Sequence, residues 1–148
     1  MSTDCLIHIE EAWKQKTKQG NKALDDGNIT SALYSYEEAL IRAEILTGNF
    51  HKCIVEDIPF SEIFAISCMN IAQVYTELNK QQKARQYFER GFYYLIYLKS
   101  VLSDGLAAKI KIQQQLQHIF LNYTTFLKHD PSHNYQEIFS RLQKAVSS

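Results

Sequence analysis

Residues 18–40 read KQGNKALDDGNITSALYSYEEAL. On either side of the central DDGN, Gly20 and Ala23 lie three apart, and Ala32, Tyr36 and Ala39 follow at steps of four and three. Those intervals stack side chains on one face of a helix. Gly27 can take the left-handed conformation that ends a helix, and Asn28 or Thr30 can cap the next one. Two helices joined by so few residues lie antiparallel and adjacent. Small residues on the facing stripes let the backbones approach, and the aromatic ring fills the wedge between them. The stretch predicts a helical hairpin.

The same reading extends in both directions. Ile9, Trp13, Gly20, Ala23 and Leu24 share one face of a helix over about 4–25, with Ser2, Thr3 or Asp4 as its cap. The second helix, with Ala32, Leu33, Tyr36, Ala39, Leu40 and Ala43 on its stripe, runs to about residue 46. Residues 47–59, TGNFHKCIVEDIP, break the pattern and read as an irregular loop. A third helix follows with Phe64, Cys68, Ile71, Tyr75 and Leu78 in phase, and after NKQQ a fourth with Ala84, Phe88, Gly91, Leu95 and Leu98. LSDG at 102–105 interrupts the chain, Ser103 offering a cap for a fifth helix that carries Ile112, Leu116, Ile119, Tyr123 and Phe126. After KHDPS, with Pro131 suited to a first helical position, Tyr135, Ile138, Phe139, Leu142 and Val146 mark a sixth. The expectation is one all-α domain over 1–148, six helices in three antiparallel hairpins at about 4–46, 61–101 and 104–146.

The hairpins resemble one another. Gly20 and Ala32, Ala72 and Ala84, and Tyr123 and Tyr135 are pairs twelve residues apart, and an aromatic follows each second member by four: Tyr36, Phe88 and Phe139. The first hairpin resembles a tetratricopeptide repeat, whose pattern W-x2-L-G-x2-Y, then A-x3-F, places small and aromatic residues where Gly20, Ala23, Gly27, Ala32, Tyr36 and Ala39 stand. Asn70, Ala72, Tyr75, Leu78, Ala84 and Phe88 repeat the match, with Gly91 replacing the usual alanine. The third hairpin, with Tyr123 and Tyr135, reads as a degenerate end repeat. The spacing departs from the family: Gly20 to Ala72 is 52 residues, not 34. The resemblance implies a right-handed stack of three hairpins, a tetratricopeptide-like superhelix.

It also implies a function. Such stacks put the first helix of each hairpin on a concave face that receives a peptide or a partner's helix. The corresponding residues here are Lys14, Thr17, Lys18 and Asn21, then Met69, Asn70, Gln73 and Glu77, then Phe120. Asn21 and Asn70 stand at the asparagine positions of the carboxylate clamp found in co-chaperones of the family. Thr17, Gln117 and Leu121 stand where that clamp has basic residues, so capture of an acidic tail is not expected. The reading is a protein- or peptide-binding adaptor. Alternatives are a small chaperone of a secreted client, which such chaperones resemble in size and repeat type, and a self-assembling structural protein. In RGFYYLIYLKSVL, 90–102, large residues surround the helix, which should be covered on nearly all sides. Its edge at Tyr93 and Tyr97 is the candidate interface, a homodimer being one use for it.

Composition narrows the classes. Sixteen basic and sixteen acidic residues balance, giving pI ≈ 7.0 and no sign of the basic excess that nucleic-acid binding requires. Five Gly and two Pro are too few for a strand-and-turn protein. No apolar run reaches the roughly 18 residues of a membrane span, and no signal peptide is read at MSTDCLIHIEEAW. With Cys5, Cys53 and Cys68 in no zinc-binding spacing, a reduced, cytoplasmic protein is expected. His129 and His133 flank Pro131 with no third ligand nearby, so no metal or cofactor is expected. His51 and Cys53 lack an oxyanion-hole partner in sequence, and no enzyme is read.

Overall fold

The structure is a computed structural model that describes residues 1–131 and 134–148. These residues are all-helical with no strand. The seven helices are α1 Thr3–Asp25, α2 Ile29–Thr47, α3 Phe50–Val55, α4 Phe60–Glu77, α5 Gln81–Val101, α6 Ala107–Lys128 and α7 Tyr135–Ser147. Helix α1 packs on α2, α4 on α5 and α6 on α7, while α2 and α6 both lie against α4 and α6 also meets α5.

The turn from α1 to α2 and the turn from α4 to α5 share the same backbone bonding. Gly27 has φ +79°, its N–H reaches the Leu24 carbonyl, and Asn28 N–H reaches back to Ala23. Fifty-two residues on, Asn79 has φ +58°, with Asn79 bonded to Thr76 and Lys80 to Tyr75. Both are the left-handed helix terminus that satisfies otherwise orphaned carbonyls. Asn is one of the few residues besides Gly that tolerates this conformation. Ser2 Oγ accepts from Cys5 N–H (3.2 Å) and Asn28 Oδ1 from Ser31 N–H (3.2 Å), which selects one cap from each set of alternatives.

Close approach is literal. Gly20, Ala32, Ala72 and Ala84 are buried, with the Tyr36 ring filling the space beside Gly20. A Cβ on Gly91 would stand 2.7 Å from Ile119 Cδ1 and 3.0 Å from Cys68 Cβ. The helix pair α1–α2 is tied to the next by Trp13, whose Nε1–H donates to Ser67 Oγ at 2.7 Å, while that hydroxyl donates to the Ile63 carbonyl.

Several expectations are corrected. The 47–59 segment is not irregular: α3 forms within it, making seven helices rather than six. Cys53 and Ile58 are buried, so this segment contributes apolar anchors to the core, and α3 closes on Asp57 (φ +55°) with the same reverse bonding. It is pinned near the start of α1 by Lys52 Nζ to Met1 O (2.7 Å) and Thr3 Oγ1 to Glu56 Oε1 (3.0 Å). Ser103 does not cap α6: the chain turns at Gly105 (φ +85°), and the cap position is Leu106. Pro131 is not a first helical residue, because α7 opens at Tyr135 with Asn134 Oδ1 accepting from Glu137 N–H. Helix α5 is not covered all round: α4 and α6 lie on one side, and Tyr93, Tyr97 and Val101 remain open on the other.

Candidate functional site

Where the C-terminal halves of α4 and α6 run past the start of α5, a cavity of about 250 Å³ opens. Its floor is aromatic. The Phe88 ring from α5 stacks on Tyr123 (centroids 5.3 Å, planes 6° apart) and meets Phe126 at 5.3 Å. Phe88 and Phe126 line the cavity together with Met69. Its rim is polar: Gln73 and Thr76 from α4, Gln81 from α5, Asn122, Thr125 and His129 from the end of α6. Tyr123 is held beneath by its hydroxyl, which donates to Glu89 Oε1 (2.8 Å), the oxygen that also receives Arg85 Nε–H (2.6 Å). Burial and the neighbouring Glu89 push the Tyr123 phenol well above its usual range, so it stays protonated and donating.

Of the residues predicted to bind a peptide, the structure brings Met69 and Gln73 together here. Asn70 is half-buried beside them on α4 without lining the cavity, and Glu77 follows one turn later, exposed. Lys14, Thr17, Lys18 and Asn21 lie on α1, outside it. Lys14 faces Glu11 across 3.4 Å on the surface. The Asn21 carbonyl accepts a short bond (2.6 Å) from the Tyr36 hydroxyl, so that half of the amide is engaged within the first hairpin. Burial, then Asp25 and Glu77, raise the Tyr36 phenol. Phe120 points elsewhere: its ring packs on Phe139 of α7 at 5.4 Å. Phe120 is the α6 residue the spacing predicted, whereas Asn122, Thr125 and Phe126 are the α6 residues at the cavity. Those three, with Phe88, were legible only as core or surface stripe.

Tyr93 and Tyr97 line a second, shallower groove of about 520 Å³ between α2 and α5, with Phe64 and Tyr94 beneath. They are 42% and 53% exposed, and Arg90 reaches Glu44 across the groove at 2.6 Å.

Cys53 and His51 do not converge. Cys53 Sγ turns inward to the Leu46 carbonyl (3.5 Å), and burial, with Glu10 adding, pushes its pKa up to about 11. Exposed His51 lies instead against Phe50, with ring centroids 4.1 Å apart and planes tilted by 34°. Among the described residues no three His, Cys, Asp or Glu side chains are placed to share a metal ion. His133 of the His129 and His133 pair lies outside the described residues. Among the described residues no helix is long and apolar enough to cross a membrane.

These features define an all-α protein of packed helix pairs with an aromatic-floored cavity between α4 and α6. Residues 11–148 match the model of the family described as protein of unknown function (DUF2753), and the chain belongs to that family. No curated protein and no solved structure matches it.

Proposed function

We propose that this protein is a peptide- or protein-binding adaptor that uses the α4–α6 cavity, as part of the concave face of a tetratricopeptide-like stack, in the cytoplasm. The observation that carries the reading is the cavity itself, an apolar floor of Phe88, Phe126 and Met69 under a rim of amides and hydroxyls. Binding sites combine these two features, area for affinity and polar groups for orientation. Rim bonds alone contribute about 0.5–1.5 kcal/mol each. Micromolar binding needs about 8 kcal/mol, so the floor supplies most of it. The repeated left-handed turns at Gly27 and Asn79 support the repeat architecture that presents such a face.

The test is affinity capture from a native lysate with the wild type and with Gln73→Arg plus Thr125→Arg, both matched by thermal melting. A protein held by the wild type and released by an equally stable variant supports the adaptor. Unchanged capture removes the cavity from the reading.

Self-assembly is the second reading, favoured by the open Tyr93 and Tyr97 edge. It requires concentration-dependent dimers, measured by sedimentation, that disappear in Tyr93→Glu plus Tyr97→Glu. A chain that stays monomeric at every concentration ends it.

A further inference from the structure

We propose that the α4–α6 cavity takes an uncharged, extended peptide segment carrying one aliphatic or aromatic anchor side chain; this rests on the peptide-binding reading above. Charge is the first argument. None of the cavity's lining residues is Asp, Glu, Lys or Arg. Four other surface cavities each include at least one. The neutrality is built into the helices: α4 has no such residue from 63 to 76, and α6 none from 112 to 127. The next charges along those two helices, Glu77 and Lys128, are opposite in sign, and the lysines on either side of Gln81, Lys80 and Lys83, are not part of the lining. A charged side chain entering here would lose hydration and meet no carboxylate, ammonium or guanidinium among the lining residues, where His129 is the one group that can take a charge, so its burial is costly.

Size is the second. A volume of about 250 Å³ falls below the roughly 300–1,000 Å³ of sites for drug-sized ligands and cofactors. It suits a single side chain. The floor rings and the adaptable Met69 thioether favour an apolar or aromatic one. The rim is the third argument. Gln73 and Gln81 each present both an acceptor and a donor, and Asn122, whose amide nitrogen already donates to the His118 carbonyl at 2.9 Å, adds an acceptor. Each residue of an extended backbone offers the matching pair, one N–H and one C=O.

The experiment is selection of a phage library of random linear peptides on the wild type, with counter-selection on Thr125→Arg and, separately, Met69→Glu. Folding of each variant is checked by circular dichroism, and Thr125, being exposed, keeps the test valid should Met69→Glu unfold. The expected result is a set of sequences with one Leu, Ile, Phe, Tyr or Trp flanked by neutral residues. Their binding should be insensitive to salt and weakened on the order of tenfold or more by Thr125→Arg. Sequences that depend on the cavity but carry acidic or basic residues beside the anchor overturn the neutral-ligand inference and leave the adaptor reading standing. If no enriched sequence depends on Thr125 or Met69, the cavity reading falls and the inference with it.

Discussion

A Cβ on Gly20 would stand 2.5 Å from both Cδ1 and Cε1 of Tyr36, so the Tyr36 ring occupies the side-chain space that Gly20 leaves empty. This is what holds α1 and α2 at close range, and the Tyr36 hydroxyl then closes onto Asn21 at 2.6 Å.

Gly20→Ala should therefore destabilise the fold, although alanine is the better helix former by up to about 1 kcal/mol. Overpacking costs about 1–3 kcal/mol. The net loss should lower the melting temperature by about 2–4 °C per kcal/mol in a chain of this size. At Gly48 φ is −66° and the nearest atoms to an added Cβ are carbonyl oxygens at 3.4 and 3.5 Å, so Gly48→Ala should change stability by less than about 0.5 kcal/mol. Equal melting temperatures for the two variants would contradict the close-approach account.

Trp13 is the single tryptophan, so its fluorescence reports the α1–α4 contact alone. Ser67→Ala removes the acceptor for its buried indole N–H. That orphan should cost about 1–3 kcal/mol and shift the emission maximum while the helix content stays unchanged. An unaltered spectrum would place Trp13 elsewhere.

The three thiols should separate by reactivity. Cys5 is exposed, whereas Cys53 and Cys68 are buried with pKa values pushed up to about 11 and about 12, burial being the main cause for each. At neutral pH a thiol reagent should modify one cysteine quickly and the other two only on unfolding. Above about pH 9 the unfolded chain loses these protons while the native chain keeps them, so the native state binds more protons in that window. Stability is then unaffected by them at neutral pH and falls as pH rises from about 9 through the folded values. Denaturant midpoints at about pH 8 and about pH 10 would check this, the drop being smaller in Cys68→Ala.

Arginines at Gln73 and Thr125, both exposed, should leave stability within about 0.5 kcal/mol. Ligand binding should weaken on the order of tenfold or more. Calorimetric melting beside a binding titration separates the two effects. A variant that melts early while binding normally would show these positions to be structural.

The first hairpin was legible because its signals are local: Gly20, Gly27, Ala32 and Tyr36 act within one turn and two facing stripes. Asn79 was readable as part of a turn, but its left-handed role emerges only from its bonds. Helix α3 escaped because six residues carry too little periodicity, and the burial of Cys53 and Ile58 follows no helical stripe in the sequence. The cavity was half legible. Met69 and Gln73 follow from the face of α4, whereas the α6 side depends on how that helix is rotated about its axis. Phe120 meets Phe139 of α7 instead, a pairing that no spacing in the sequence reveals.

The most direct measurement is the affinity of a captured partner for three proteins: the wild type, Gln73→Arg plus Thr125→Arg, and Tyr93→Glu plus Tyr97→Glu. The expected result is binding lost on the order of tenfold or more in the first variant and unchanged in the second. Loss confined to the tyrosine variant would contradict the assignment and move the binding surface to the α2–α5 groove.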